Sequence, residues 1–204
     1  MKKIVILGGS GYVGTAIISF FLEKKTKVVN LDNLIYRQNN KFSFSKNNNY
    51  EFIKYDLRSK NFDSTILKDA DTVVILASLV GDPISNKYKK ATKAINITAT
   101  KKFIDKSIKL GAEKLIFVST CSNYGLIETN LAAKENYKLN PLSPYAKSKV
   151  EIENYLIKKK LKKLNTKIFI LRFATAFGFS ERMRFDLTVN EFIKTIMQKK
   201  KLII

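Results

Sequence analysis

Short apolar, β-branched runs alternate along this chain with longer amphipathic stretches. KIVIL, KVVNL, YEFIKY, TVVILA, KLIFVS and KIFILRF have strand length and strand composition. Between them, apolar residues recur at helical spacing from Tyr12 to Glu23, Thr92 to Leu110, Pro144 to Leu164 and Phe185 to Lys200, with a shorter helix near Ser64 to Lys68. The strand runs are too uniformly apolar to have a wet face, so the alternation predicts an α/β fold, a parallel sheet covered by helices on both faces. No repeat at solenoid period is visible, and the one low-complexity tract is the Asn/Lys stretch near residues 38–49. Ligands of such sheets sit beyond the carboxyl ends of the strands, which directs attention to Asp32, Asp56, Ala77 with Ser78, and Ser119 with Thr120.

The first strand runs straight into GGSGYVG, Gly8 to Gly14, and a helix follows. Three glycines at this spacing also occur in ordinary strand-to-helix turns, but with a strand before, a helix after and an acid at the next strand end the segment reads as the phosphate turn of a Rossmann-type, doubly wound sheet. Gly8 permits the tight turn, Gly11 lets a backbone N–H approach a pyrophosphate, and Gly14 lets the helix pack closely. The new helix adds unpaired amides and the positive end of its dipole. Gly8, Gly11, Tyr12, Val13 and Gly14 are therefore the candidate pyrophosphate contacts. Asp32 stands 18 residues past Gly14 at the end of KVVNLD, where a carboxylate bonds a ribose 2′-hydroxyl and repels a 2′-phosphate. The expected cofactor is NAD, not NADP.

Composition trims the alternatives. With 204 residues and 45 % hydrophobic content, the chain suits one sizeable core. Its apolar runs are too short to span a bilayer and its N-terminus reaches a glycine turn before a signal core develops, so a cytoplasmic protein with no membrane partner is expected. Cys121 is the single cysteine, which fits a reducing compartment, and with no histidine in the chain no metal site is expected. A formal charge of +21 suggests a polyanion partner. The lysines, however, are spread over most helices, densest in KKKLKK and in Lys199 to Lys201, and no aromatic residues interleave them as a stacking platform requires. A solvated surface with no specific nucleic-acid partner is the simpler account.

SPYAKSK sets Tyr145 and Lys149 on one face of a helix, with Ser143 as N-cap and Pro144 at its first position. Bringing a tyrosine from about 10 to near 7 takes about 4 kcal/mol, which a positive charge roughly 4 Å away supplies at an effective dielectric of about 20. Such a phenolate can take a proton from a sugar hydroxyl. Alone the pair proves little, because Tyr and Lys at this spacing are common on solvated helices.

It does not stand alone. GGSGYVG, LDNL, the Asp56–Leu57 pair, LAS, STCSNYG, SPYAKSK and LRFATAFG follow one another in the order and spacing of the extended short-chain dehydrogenase/reductases, and the whole chain resembles their nucleotide-sugar epimerase/dehydratase branch. The resemblance implies Tyr145 as acid/base, Lys149 as its partner and holder of the nicotinamide ribose, and Thr120 as a hydroxyl to the substrate oxygen. It implies Asp32 and Asn33 on the adenosine ribose, Asp56 and Leu57 near adenine, and Ala77, Ser78 and Ser119 beside the cofactor. Ser122 and Asn190 become candidate substrate contacts, and Arg182 and Arg184 offer guanidinium forks to a diphosphate. Asn96 is read as a support for the backbone of the site.

The segment STCSNYG narrows the reaction. Dehydratases resembling this chain carry a carboxylate just after the catalytic Thr, whereas Cys121 and Ser122 stand here. Neither is a competent acid/base near neutral pH. Epimerising reductases of the branch use a Cys two positions after the hydroxyl, where Ser122 stands here, and a downstream His, and this chain has no histidine. What is expected is an NAD-dependent 4-epimerase, or an oxidoreductase, acting on a nucleotide-diphosphate sugar as a homodimer through its two long helices. An NAD-binding module without catalysis, a dehydratase and, last, a basic polyanion binder are the alternatives. Cys121 itself is read as a small buried hydrophobe. Glu128 and Glu135 fall in the loop after the active strand, where solvated charges are the default. Residues 1–178 are expected to form the NAD-binding domain and 179–204 the start of an incomplete substrate-binding region, since the terminal LII looks like a strand just begun.

Overall fold

The computed structural model describes residues 2–36, 41–127, 132–162 and 164–202. Six parallel strands, β1 (Lys3–Leu7), β2 (Lys27–Asp32), β3 (Tyr50–Lys54), β4 (Thr72–Ile75), β5 (Lys114–Thr120) and β6 (Lys167–Phe173), lie in the order β3-β2-β1-β4-β5-β6. This is the doubly wound α/β sheet that the alternation predicts. Its order reverses beside β1, so the crevice between the ends of β1 and β4 is the natural ligand position.

The period of two along each strand divides the core. Val5 and Leu7 of β1, with Val73, Ile75, Leu115 and Phe117, pack against Phe103, Ile104, Ile152 and Leu156 of the helices on one face. Ile4 and Ile6 point the other way, onto Ile18 and Leu22 of α1 (Tyr12–Glu23) and onto Phe42 and Phe44. Among the described residues, neither core contains one beyond Ile170.

The helix expected from Thr92 begins earlier and is not regular. After α2 (Asp82–Lys87), α3 (Lys89–Thr92) opens into a π-helical segment, Lys93–Ala99, and closes into α4 (Thr100–Lys109). The wide turn carries Asn96, buried, whose Oδ1 accepts from Leu79 N at 2.8 Å while its Nδ2 donates to Leu79 O at 3.1 Å. Asn96 thus clamps the backbone after β4, the supporting role expected of it. α5 spans Pro144–Lys160, ending short of Leu164, and α6 spans Thr188–Met197 inside the expected range. The stretch from Phe179 onward has no core of its own and is stitched to α1, Ser180 Oγ donating to Tyr12 O at 2.7 Å and Tyr12 Oη to Gly178 O at 2.6 Å. The apolar Ile203 and Ile204 lie outside the described residues, as do residues 38–40 of the Asn/Lys tract. No described helix is long and apolar enough to cross a membrane.

Candidate active site

The glycine turn is built by close approach. Gly8 has φ +86°, and a Cβ there would sit 2.5 Å from Ala77 N, so the ends of β1 and β4 meet backbone to backbone. A Cβ on Gly14 would fall 2.4 Å from Gly9 O, which makes this glycine a packing requirement of the turn itself. Gly11 is different. A Cβ there would touch only Gly8 O, at 3.4 Å, so nothing in the protein demands glycine, yet the residue lines the central cleft. Gly11 also gives α1 no side-chain cap, which leaves the first-turn amides of Tyr12, Val13 and Gly14 open to an anion.

Asp32 closes the turn from the other side. It accepts from Ser10 N at 3.0 Å and from Leu34 N at 2.8 Å. Burial pushes its carboxyl up, while those two amides and the charge of Arg182 pull it back. Beyond it, Asn33 Nδ2 lies 3.5 Å from Asp56, and Arg58 pairs with Asp56 at 2.6 Å. The hydrogen bonds and charge of Arg58 hold Asp56 down at about 2.

From Gly11 and Asp32 one cleft of about 860 Å³ runs along the strand ends past Asp56, Leu57, Ala77 and Ser78 to Ser119, Thr120, Ser122, Tyr145 and Lys149. A volume in this range suits a nucleotide-sized ligand. An uncapped helix end, room above Gly11 and a carboxylate at the next strand end are the features a dinucleotide's pyrophosphate and ribose require, so the residues present would hold NAD.

At the far end, β5 delivers Thr120 into a turn, Cys121–Tyr124, and Thr120 Oγ1 accepts from Ser122 N at 3.2 Å. α5 starts as expected, Ser143 Oγ accepting from Ala146 N at 3.2 Å with Pro144 in its first turn. Its first turns bring Tyr145 and Lys149 to the same wall. Lys149 is 4 % exposed, donates to Val118 O at 2.9 Å, and lies 5.6 Å from the Tyr145 ring centroid. Burial lowers its ammonium to about 8, with Glu153 acting against the fall. Tyr145 is pushed up to about 12, above all by burial, with Arg184 and a hydrogen bond to Thr120 pulling it down and Asp82 and Cys121 pushing further up. Held at about 12 chiefly by burial, Tyr145 in the chain alone is a neutral phenol near neutral pH, not the phenolate that one nearby cation would produce.

Three expected residues sit differently. Asn190 is buried away from the cleft, its Nδ2 bonding Tyr12 Oη and Arg184 O at 3.0 Å each and its Oδ1 accepting from Gly178 N at 3.1 Å, so its side chain ties α6 to α1. Ser119 reaches the cleft only beside its neighbours, since its hydroxyl donates away to Glu153. Cys121 is exposed on the cleft wall, which corrects its reading as a buried hydrophobe: the turn after β5 rotates it off the strand's buried face. Glu128 lies outside the described residues, and Glu135 lends only its backbone carbonyl, to Arg172 at 2.9 Å. Arg182, over the Tyr36 ring at 5.4 Å, and Arg184, paired with Asp186, both line the cleft. Sequence reasoning missed Asp82, which lines the cleft, and the buried Glu153–Arg172 pair at 2.7 Å. The signal for the pair was an arginine inside the apolar run KIFILRF. Among the described residues no group of His, Cys, Asp and Glu is placed to hold a metal.

Known proteins resemble this chain in sequence and in fold. The chain is 31 % identical over 183 residues to a putative UDP-glucose 4-epimerase of Methanocaldococcus jannaschii, covering 86 % of this chain and 56 % of the relative. The UDP-N-acetylglucosamine 4-epimerase of Methanobrevibacter ruminantium, solved with UDP-N-acetylmuramic acid, superposes with a TM-score of 0.87 at 29 % identity, over 100 % of this chain and 65 % of that one. The UDP-glucuronic acid 4-epimerase of Bacillus cereus, solved with UDP-glucuronic acid and NAD, gives 0.83 at 30 % identity, over 98 % of this chain and 64 % of that one. The chain therefore spans less than two thirds of the length of these relatives. A profile of the NAD dependent epimerase/dehydratase family matches residues 4–204, and the chain belongs to that family.

Proposed function

We propose that this chain carries the NAD-binding and catalytic part of a nucleotide-sugar 4-epimerase. One observation carries the reading: Thr120, Tyr145 and Lys149 converge on one end of the cleft whose other end is the glycine turn and Asp32. The relatives named above are 4-epimerases of UDP-sugars, which supports the same substrate class. A homodimer through α4 and α5 is the assembly that goes with it.

The chemistry follows from the positions. The Thr120 hydroxyl orients the sugar 4-hydroxyl toward Tyr145. Tyr145 takes the proton as the 4-keto sugar forms, and returns it when the ring has turned its other face. NAD, when bound, would supply the group that accepts the hydride from that carbon and returns it to the turned ring. Lys149, beside Tyr145 on the same wall, would hold the nicotinamide ribose. Tyr145 stands at about 12 in the chain alone, and the positive charge of an oxidised cofactor bound beside it would bring it down. Elimination of water is disfavoured because Cys121 and Ser122 occupy the places where a dehydratase needs a carboxylate.

A second reading, NAD binding without turnover, is supported by Tyr145 being held at about 12 in the chain alone, where it is no base near neutral pH. Tyr145→Phe separates the two. Turnover of a responsive UDP-sugar is expected to fall about a hundredfold or more with NAD affinity retained, the usual worth of a positioned acid/base. Turnover surviving within about tenfold overturns the catalytic role of Tyr145. NAD affinity in the unmodified chain, with no reaction on a UDP-, dTDP-, GDP- and CDP-sugar panel, favours the second reading.

A further inference from the structure

Behind the wall formed by Thr120 and Tyr145 lies a buried carboxylate that the chemistry above does not use. Glu153 stands on α5 one helical turn beyond Lys149 and two beyond Tyr145, with its side chain 1 % exposed. Its Oε1 accepts from Asn123 Nδ2 at 2.7 Å and from the Ser119 hydroxyl. Arg172 of β6 grips the same group, with Nη2 2.7 Å and Nε 3.1 Å from Oε2. Nη1 of Arg172 continues to Tyr124 Oη at 3.0 Å.

Ser119 and Asn123 flank the turn made by Thr120, Cys121 and Ser122. One carboxylate thereby holds both ends of the segment that presents the Thr120 hydroxyl, and ties it to the helix that carries Tyr145 and Lys149. For stability alone, an apolar pair of similar volume serves as well as a buried ion pair or better. An apolar pair cannot aim hydrogen bonds at two ends of a turn, nor set a negative charge one helical turn from a buried ammonium.

We propose that Glu153, clamped by Arg172, is a positioning residue for the reaction read above: it fixes the Thr120 hydroxyl opposite the Tyr145 phenol and sets its charge against the Lys149 ammonium. The groups facing Lys149 agree. From its own helix these are Tyr145 and Glu153; from β5, the Phe117 ring at 4.8 Å and the Val118 carbonyl; Arg172 of β6 stands behind Glu153. Arg184, Asp82 and Cys121 act on Tyr145. Burial draws Lys149 down, and Glu153 is the charge that opposes it.

The test is Glu153→Gln in the full chain, which keeps size and one acceptor. The kcat is expected to fall about tenfold or more, as for a misplaced reacting group, with KM and NAD affinity within about threefold. The alkaline limb of the kcat profile moves down by about one pH unit, and the Lys149 titration, followed by NMR of ¹³C-labelled lysine, moves with it. If the Gln variant does not fold, the double substitution Glu153→Met with Arg172→Met removes both charges and is read the same way. An unchanged limb and an unchanged Lys149 titration overturn the proposal. Because the NMR titration needs no substrate, an unmodified chain inactive on every sugar nucleotide counts against the functional reading, whereas an unmoved Lys149 counts against Glu153.

Discussion

Lys149 and Tyr145 are displaced from their ordinary titration ranges in opposite directions by the same cause, burial. For Lys149 the native value of about 8 lies below the ordinary 10.5, so between those values the unfolded chain holds more protons than the native one. Stability contributed by this group therefore rises with pH through that window, by up to about 3 kcal/mol, and is flat below it. Tyr145 works the other way, since its native value of about 12 exceeds the ordinary 10.0, and stability falls as pH climbs between them. Urea midpoints of the unmodified chain should climb from pH 8 toward pH 10 and then turn over. In Lys149→Met the climb should vanish while the fall above pH 10 remains. A climb of equal size in the variant would show that the ammonium is not buried as described. The sequence placed these two residues on one helix face, and that much follows from spacing. It did not reveal that the ammonium is turned to the Val118 carbonyl, because a strand-end carbonyl leaves no mark on the spacing of side chains.

Elements were legible wherever one period held for a whole segment. α1 and β6 match their expected ranges residue for residue, Tyr12–Glu23 and Lys167–Phe173. The departure is the π-helical segment Lys93–Ala99, where hydropathy reads the same as in an α-helix and only the Asn96 clamp on Leu79 explains the wider turn. Asn190 shows the converse limit: its position on α6 was readable, but its tertiary partners Tyr12 and Gly178 were not. The glycine turn was read as three requirements, and the structure separates them. Gly14→Ala forces a Cβ to within 2.4 Å of Gly9 O and should destabilise the chain by about 2 kcal/mol or more. Gly11→Ala meets nothing closer than 3.4 Å, so its melting temperature should stay within about 3 °C while NAD affinity drops about tenfold or more. Calorimetry of both melting and NAD binding decides it. Equal loss of stability in the two variants would mean that Gly11 is a packing residue and that the space above it is not a phosphate cradle.

At the scale of the whole molecule, a formal charge of +21 acts against an apolar sheet face that the helices leave open. Among the described residues β6 pairs only with β5, and on one of its faces Phe169, Leu171 and Phe173 are 45 %, 40 % and 36 % exposed. With Phe177 and Phe179 from the following loop, Leu171 and Phe173 border an apolar groove alongside α1. An edge strand with an open apolar face invites association, and like charge spread over the surface resists it. The balance depends on screening. At about 0.01 M salt the Debye length is about 30 Å and repulsion between copies prevails; at about 0.5 M it is a few Å and the apolar face decides. Light scattering of the chain should therefore rise with salt, opposite in sign to the salt dependence of a polyanion complex, which weakens as counterions compete. Phe169→Thr with Leu171→Thr places polar β-branched residues that suit a strand and should suppress the rise, lower native-state binding of a hydrophobic dye, and leave circular dichroism unchanged. Scattering that rises equally in the double variant would place the association on another surface. If it instead falls with salt, charge pairing between copies governs the molecule, not its apolar face.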